Sequence, residues 1–304
     1  MHRRQALGIE RASSFSELDN VTSEEISKIV HNTPAKHCSL DRAPTWLVKQ
    51  LLPLLAETLA KICNASFHEG SFPETLKLAL VRPRLKKPSL NADVLNSFRP
   101  ISNLSFLSKL VERVAAVRIS AHIESQQLLP SCQSAYRAHH STETAIVAVH
   151  DDLVRSIDSS DICALVVLDV SAAFDTVDHQ SLLQVLSRRF AVADTALNWY
   201  KSYLSQCTQT FSVNDQMSGP HSVSCSIPQG SVLGPLKFAA YAKDLDDVID
   251  NNQLNRHMYA DDTQLIASTS VNRIQPTIVR LQTCIADIHS WCRSRRLQAK
   301  SVKN

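Results

Sequence analysis

Apolar residues recur at spacings of three and four along much of the chain, which is the pattern of amphipathic helices. It is clearest over residues 105–128, where charged residues such as Glu112 are predicted to face solvent. The apolar face of that segment is predicted to contain Leu107, Leu110, Val111, Val114 and Val117. Further helices are predicted over residues 44–67 with an interruption at Pro53, and over residues 142–157, 180–190, 194–205, 232–249 and 274–292. Residues 12–30 are polar and acidic and are expected to form a poorly ordered lead-in.

Other patterns predict strands. Cys163–Leu168 is a continuous apolar run rich in Val and Leu, which is typical of a buried strand. Alternation of apolar and polar positions predicts two hairpins, over residues 207–214 with 221–227 and over residues 255–269. Asp261 and Asp262 fall at the turn of the second hairpin. The mixture of strands and helices after residue 160 predicts an α+β fold, with helices on one face of a small sheet.

Composition narrows the functional classes only slightly. The net charge is +3, with 32 Lys+Arg against 29 Asp+Glu, so nucleic-acid binding would depend on local patches such as the basic, proline-containing stretch at residues 82–88. The prolines favour an extended chain in this stretch. No apolar run is long enough for a transmembrane helix, and the charged N-terminus predicts no signal peptide. The eight cysteines lack zinc-site spacing and are expected to be free thiols.

Three aspartates stand out chemically. Asp169 directly follows the predicted strand, where a carboxylate is costly unless the strand end opens to solvent or to a metal ion. Asp261 and Asp262 repel each other, and a divalent cation would relieve that repulsion. Carboxylates from two strand ends suit Mg²⁺, and two such ions about 4 Å apart can activate a 3′-hydroxyl and stabilise a leaving pyrophosphate. The alternative is a solvated turn, since turns favour Asp for local hydrogen bonding.

Three ordered sequence blocks surround these aspartates. Residues 168–179 read LDVSAAFDTVDH, residues 228–236 read PQGSVLGPL, and residues 259–265 read YADDTQL. In this order and with these gaps, they resemble motifs A, B and C of non-LTR (LINE-type, jockey-like) retrotransposon reverse transcriptases. Residues 97–104 and 133–144 are similar to fingers segments of the same family. The YADD tetrapeptide alone is a weak signal, whereas the five ordered blocks together are specific.

The resemblance covers roughly residues 35–292 and implies a right-hand polymerase of the α+β class. An antiparallel palm sheet would be backed by helices, and the thumb would be missing. The implied divisions are an N-terminal lead-in and helical extension (1–70), the fingers region (71–160), the palm with motifs A, B and C (161–292) and a truncated connection toward the missing thumb (293–304). No endonuclease domain is expected before these regions.

The resemblance also implies residue roles. Asp169 and Asp261 would hold two Mg²⁺ ions, with Mn²⁺ as the alternative, and Asp262 would be the third carboxylate. The implied nucleotide-binding residues are Val170, Phe174, Gln229, Gly230, Arg99 and Lys87. The ring of Phe174 would leave no room for a 2′-hydroxyl and would favour dNTPs over NTPs. The implied partners are an RNA template, a DNA primer and dNTPs. The resemblance also implies that the parent protein acts in the nucleus. The sequence indicates no membrane partner and leaves the oligomeric state open.

Less specific interpretations remain open for several of these residues. Phe174 also fits an ordinary core aromatic, and Gly230 also fits a turn before a helix. Lys87 also fits a solvated charge cluster. Arg137 is expected to make structural hydrogen bonds, and Asp178 is expected to brace the helix that follows it.

Two further hypotheses stay open, and departures from the family pattern favour the first of them. Lys237 stands where the family usually has a second leucine, so it would either snorkel or disturb packing. Cys225-Ser226-Ile227 replaces the usual Cys-Gly-Val, and residues 291–297 look like a degraded motif. One alternative is therefore a catalytically inactive remnant that retains the fold and at most binds nucleic acid. The other is an unrelated metal-dependent phosphotransferase with a similar aspartate arrangement.

Overall fold

The computed structural model describes residues 13–36, 38–137, 139–171, 176–214 and 216–299. The α-helices are α1 (Ser23–His31), α2 (Thr45–Gln50), α3 (Leu52–His68), α4 (Phe106–Ser125), α5 (Thr142–Asp158), α6 (His179–Arg189), α7 (Asp194–Leu204), α8 (Gly234–Tyr241), α9 (Lys243–Asn251) and α10 (Ile274–Ser294). The strands are β1 (Leu78–Leu85), β2 (Phe98–Asn103), β3 (Ile162–Leu168), β4 (Val170–Ser171), β5 (Cys207–Val213), β6 (Gln216–Met217), β7 (His221–Val223), β8 (Asn255–Tyr259), β9 (Asp262–Thr269) and β10 (Gln298–Ala299). The predicted α+β class is confirmed.

The expectation of a poorly ordered lead-in over residues 12–30 is wrong. Helix α1 begins with a capping box, in which the Thr22 side chain and the Glu25 side chain each accept a backbone N–H of the other residue. The apolar face of α1 is fully buried at Ile26 and Val30. A polar composition concealed a short amphipathic helix, because a helix needs only one apolar stripe to pack.

Helix α4 confirms the pattern over residues 105–128 but not every position in it. Val117 is 50% exposed, whereas Glu112, which was expected to face solvent, is 0% exposed. Helical periodicity alone could not predict this, because Glu112 accepts hydrogen bonds from backbone groups on a distant part of the chain. A buried carboxylate with such partners is tolerated, while an unpartnered one is not.

A three-stranded antiparallel sheet has the strand order β3-β9-β8. The prediction of a strand at Cys163–Leu168 is confirmed, but the prediction that it is buried is wrong except at its end. Leu168 is 5% exposed, whereas Leu165 and Val167 are 44% and 55% exposed. β3 is an edge strand, and only its alternate residues pack on the core. We name this sheet the carboxylate sheet, because Asp169 and Asp262 lie at one of its ends.

A mixed sheet has the order β2-β1-β5-β6, with β7 also paired to β5. β1 and β2 are antiparallel, and β1 and β5 are parallel. The hairpin predicted over residues 207–227 is present, although its second arm is short. The helix predicted over residues 232–249 is two helices, α8 and α9, which meet at Ala242.

Aromatic packing around α7 joins the mixed sheet to the N-terminal helices. The Trp199 ring stacks on Tyr203 with a centroid separation of 5.5 Å and meets Phe72 edge-on at 5.6 Å. Its indole N–H donates to the Ser66 hydroxyl at 2.9 Å, so the only polar atom of the buried ring has a partner. These ring contacts pack Tyr203 in the core, where it also contacts α8 through Lys237.

Candidate active site

The three aspartates lie at the same end of the carboxylate sheet. Leu168 is the last residue of β3 and pairs with Thr263 of β9, so Asp169 and Asp262 are the next residues along the two segments at that end of the ladder. Tyr259 pairs with Asp262 across β8 and β9, which leaves Ala260 and Asp261 as the turn between them. The predicted hairpin over residues 255–269 is therefore confirmed. Residues far apart in sequence converge because both strand ends meet at the same edge.

The donor set at this end of the sheet fits a divalent cation of the magnesium type. All three side chains offer hard oxygen ligands. Within the described ranges, no group of three or more His, Cys, Asp or Glu side chains already has the arrangement of a metal site. That finding is compatible with Mg²⁺, which proteins usually bind through one or two carboxylates together with substrate phosphates rather than in an all-protein cage.

Residues next to the aspartates are positioned by the backbone. Val170 pairs with Ala299 in the short β4–β10 ladder, so the chain after α10 returns to the strand that carries Asp169. Tyr136 lies near the turn: partial burial raises the pKa of its phenol, and the negative charge of Asp261 raises that pKa further. Phe174 lies outside the described residues.

Gln229 and Gly230 form a turn before α8 that packs against the end of β2. The backbone N–H of Ser102 donates to the carbonyl of Gln229 at 2.8 Å. Gly230 has a φ of +128°, and a Cβ at this position would lie 2.4 Å from the Ser102 carbonyl oxygen. The turn alternative for Gly230 is thus confirmed, and the close approach is to the protein's own backbone.

A basic face covers the β1–β2 hairpin of the mixed sheet. Arg84 and Arg99 face each other across the two strands, and both are exposed. Arg82 lies on the same face of β1, and Lys87 follows that strand and is also exposed. Among the ion pairs found in the described parts of the chain, none involves these four residues. Like charges directly opposite each other in a sheet are destabilising, so this face is suited to an anionic partner.

Comparison with known proteins identifies the family. Residues 85–304 match the reverse transcriptase (RNA-dependent DNA polymerase) family, which is more than half of the chain. The chain belongs to the reverse transcriptase family. The matched region contains all three aspartates, the Gln229–Gly230 turn and the basic residues Lys87 and Arg99.

Relatives of this chain include proteins from non-LTR elements of Drosophila melanogaster, and this is the class of element that the motifs indicated. One is a probable RNA-directed DNA polymerase from transposon BS, which is 30% identical over 92% of the chain and 31% of the relative's length. A probable RNA-directed DNA polymerase from transposon X-element is 33% identical over 60% of the chain and 20% of the relative. The RNA-directed DNA polymerase from mobile element jockey is 27% identical over 94% of the chain and 31% of the relative's length. The chain thus spans about a third or less of the length of these relatives.

The departure from the family pattern at Lys237 is accommodated in the core of this chain. Lys237 is 2% exposed, so it does not snorkel, and its ammonium donates to the Tyr203 hydroxyl at 3.1 Å. That hydroxyl donates in turn to Glu112, whose other oxygen accepts the backbone N–H of Val232 at 2.5 Å and of Leu233 at 3.2 Å. Burial lowers the pKa of Lys237 to about 8. Burial also raises the pKa of Glu112, while Lys237 and the hydrogen bonds act to lower it.

The departure at Ser226 has a backbone consequence. Ser226 has a φ of +88°, a region that favours glycine, and glycine is the residue that the family usually has here. The conformation is held from both sides, because the Ser226 N–H donates to the Val177 carbonyl at 2.9 Å and the His179 ring nitrogen lies 2.7 Å from the Ser226 carbonyl. Asp178 caps α6 by accepting the Ser181 N–H at 2.8 Å, which confirms its bracing role.

All eight cysteines are free thiols. In the parts of the chain that the structure describes, no helix combines the length and the apolar character needed to cross a bilayer. Arg137 donates to the carbonyls of Pro130 at 3.2 Å and Gln133 at 3.5 Å, so it makes the expected structural contacts. Gln133 itself contacts the Ala260 turn, a role that the sequence pattern did not indicate.

Proposed function

We propose that this chain carries the nucleotidyl-transfer site of an RNA-directed DNA polymerase from a non-LTR retrotransposon. The observation that supports the proposal is the register of the carboxylate sheet, in which Leu168, just before Asp169, pairs with Thr263, just after Asp262, and Asp261 lies in the adjoining turn. Carboxylates at two strand ends on one edge of a sheet fit a site for two-metal phosphoryl transfer better than they fit the alternative of a solvated turn. The names of the relatives, which are RNA-directed DNA polymerases, support the same reaction.

The carboxylates have one main task in this mechanism. Asp169 and Asp261 would hold two Mg²⁺ or Mn²⁺ ions, with Asp262 as the third ligand. When bound, such ions activate the primer 3′-hydroxyl and neutralise charge on the phosphates. The protein supplies positioning and charge, and no covalent intermediate with a side chain is needed. Asp169 directly follows β3, Asp261 lies in the β8–β9 turn and Asp262 begins β9, so paired strands would hold the three carboxylates.

Phosphate binding is assigned to the basic face of the β1–β2 hairpin. Arg99 and Lys87 are the cations that we propose for template or dNTP phosphates, and Arg84 adds a third charge beside Arg99. Guanidinium groups suit this task because they donate several hydrogen bonds in a plane. A bound phosphate would also relieve the repulsion between the facing arginines.

The remaining residues would shape the nucleotide pocket. Gln229 and Gly230 would lie beside the incoming nucleotide and template, on the turn that packs on Ser102. The backbone of Val170 would approach the triphosphate, and Phe174 would exclude a 2′-hydroxyl. In right-hand terms, the carboxylate sheet would be the palm, and the β1–β2 hairpin with α4 and α5 would be the fingers. β1 and β5 share a sheet, so the regions 71–160 and 161–292 would be joined by backbone hydrogen bonds.

The deciding experiment is extension of a DNA primer on an RNA template with Mg²⁺ and dNTPs. The chain is compared with the double variant Asp261→Asn plus Asp262→Asn. Incorporation that disappears in the double variant would support the polymerase and its metal site together. A folded chain that binds the template but incorporates nothing would instead favour the inactive remnant. Insertion into chromosomal DNA would place the parent protein in the nucleus. Fractionation of cells that express the parent element would test this location.

A further inference from the structure

The turn that carries Asp261 is backbone-strained. Ala260 precedes Asp261 and has a φ of +56°, a conformation that costs free energy for a residue with a Cβ. A two-residue turn of this kind persists only when its surroundings hold it. Ala260 is 8% exposed, so solvent does little to satisfy its backbone groups. The N–H of Ala260 therefore needs a hydrogen-bond acceptor within the protein.

The side chain of Gln133 supplies that contact from a distant part of the chain. Its carboxamide oxygen accepts the backbone N–H of Ala260 at 3.2 Å and the N–H of Ala135 at 3.0 Å. Gln133 is 1% exposed, so its polar group depends on these partners. One oxygen thus ties the turn of the β8–β9 hairpin to the loop that follows α4.

The backbone on both sides of Gln133 is fixed against β8. The N–H of Ser134 donates to the Met258 carbonyl at 2.9 Å, and the N–H of Met258 donates to the Cys132 carbonyl at 2.9 Å. Arg137 bonds the Gln133 carbonyl from the other direction. Residues 132–134 therefore extend the carboxylate sheet beyond β8, and the Gln133 side chain has little freedom to move away from Ala260.

We propose that Gln133 is the positioning residue for the Asp261–Asp262 turn. The inference rests on the proposed function, since it assigns Gln133 to the metal-holding turn of that site. A carboxamide suits the position because its oxygen accepts two N–H groups without adding a negative charge. A carboxylate here would bring a further negative charge close to Asp261 and Asp262. Gln133 would therefore not contact the metal ion. It would orient the turn that carries the metal ligands.

The main test replaces Gln133 with methionine, which keeps the side-chain length and removes the acceptor. Gln253→Met is the matched control, because Gln253 is exposed in the segment before the same hairpin. Hydrogen exchange at the Ala260 amide, followed by NMR, should accelerate about tenfold in Gln133→Met and stay unchanged in Gln253→Met. This readout needs neither a metal nor catalytic activity.

Metal binding gives the second readout. Mn²⁺ titration of the protein alone, followed by the electron paramagnetic resonance signal of free Mn²⁺, should show affinity weakened about 10- to 100-fold in Gln133→Met. Primer extension by the same variant should need correspondingly more Mg²⁺. Unchanged Ala260 exchange and unchanged Mn²⁺ affinity in a folded Gln133→Met variant would overturn the inference, whatever the polymerase assay gives.

A second variant keeps the inference testable if Gln133→Met does not fold. Gln133→Glu retains the acceptor oxygen, so it should preserve slow exchange at Ala260. Loss of Ala260 protection in Gln133→Glu would contradict the inference. A wild-type chain that binds no Mn²⁺ and extends no primer would sink the proposed function, and Ala260 exchange would still decide whether Gln133 positions the turn.

Discussion

The ammonium group of Lys237 donates a hydrogen bond to the hydroxyl of Tyr203 at 3.1 Å, inside the core and away from solvent. The Tyr203 hydroxyl donates in turn to the carboxylate of Glu112. That carboxylate also accepts hydrogen bonds from the backbone N–H groups of Val232 and Leu233, just before α8. The carboxylate therefore caps the approach to α8, and Lys237 supplies a balancing positive charge. A lysine at a position where the family usually has leucine is stabilised by this network rather than by solvent.

The pH dependence of stability should report the burial of Lys237. Its pKa falls to about 8 in the folded protein and is 10.5 in the unfolded chain, so between these values only the unfolded chain holds the proton. The contribution of Lys237 to stability should thus rise as pH increases from 8 to 10.5, by roughly 3 kcal/mol. Urea unfolding of the wild type relative to Lys237→Met should show this gain. The exposed Lys201→Met variant should run parallel to the wild type, and parallel profiles for Lys237→Met would contradict the prediction.

Substituting Gly230 should be costly, because both space and backbone conformation oppose a side chain. In Gly230→Ala the Cβ would meet the Ser102 carbonyl oxygen at 2.4 Å at a positive φ. A loss of about 1–3 kcal/mol in the free energy of unfolding is expected. Gly219→Ala is the control, since a Cβ there meets no atom within 4 Å. Chemical denaturation of both variants checks this, and equal effects would rule the explanation out.

Restoring glycine at position 226 should stabilise the chain. Ser226→Gly relieves a φ of +88° and keeps both backbone hydrogen bonds, so a gain of roughly 0.5–1 kcal/mol is expected after the greater entropy of the unfolded chain is counted. Ser224 is exposed nearby and has no positive φ, so Ser224→Gly should lose roughly 0.5 kcal/mol. Thermal unfolding distinguishes the two variants. A lower melting temperature for Ser226→Gly than for the wild type would refute the strain argument.

Removal of the Asp169 charge should separate catalysis from folding. Asp169→Asn should reduce primer extension on the order of a hundredfold or more. Mutating a residue that only hydrogen-bonds a metal ligand already lowers metal affinity or activity about 10- to 100-fold, and Asp169 is proposed to be a ligand itself. Its melting temperature in EDTA should stay close to that of the wild type, because asparagine has nearly the size and shape of aspartate. Asp161→Asn, at the opposite end of β3, is the control and should retain extension. Equal extension by Asp169→Asn and the wild type would exclude Asp169 from the site.

Sugar discrimination should depend on Phe174, which follows Asp169 by five residues in motif A. Phe174→Val opens space for a 2′-hydroxyl, so the preference for dNTPs over NTPs should fall about 10- to 100-fold. Steady-state incorporation of each nucleotide by the two proteins measures the ratio. Phe211→Val, on an exposed part of β5, should leave the preference unchanged. An unchanged preference in Phe174→Val would favour the interpretation of Phe174 as an ordinary core aromatic.

Local sequence patterns determined most elements and the candidate chemistry. The helix over residues 105–128, the strand before Asp169 and the hairpin around Asp261 follow from periodicity and turn chemistry, which act over a few residues. Ordered motifs led to the reverse transcriptase family before any contact was known. These features are local, so a single sequence contains the information needed to predict them.

Tertiary structure alone decided the contacts between segments that are distant in sequence. Glu112 is on a helix face that looked solvent-exposed, and Lys237 seemed misplaced in an apolar helix, yet Tyr203 joins them. Gln133 looked like one residue of a motif, and only the fold brings it to Ala260, 127 positions away. Periodicity describes which face of an element a residue occupies, but the partner that makes a buried polar group tolerable comes from elsewhere in the chain.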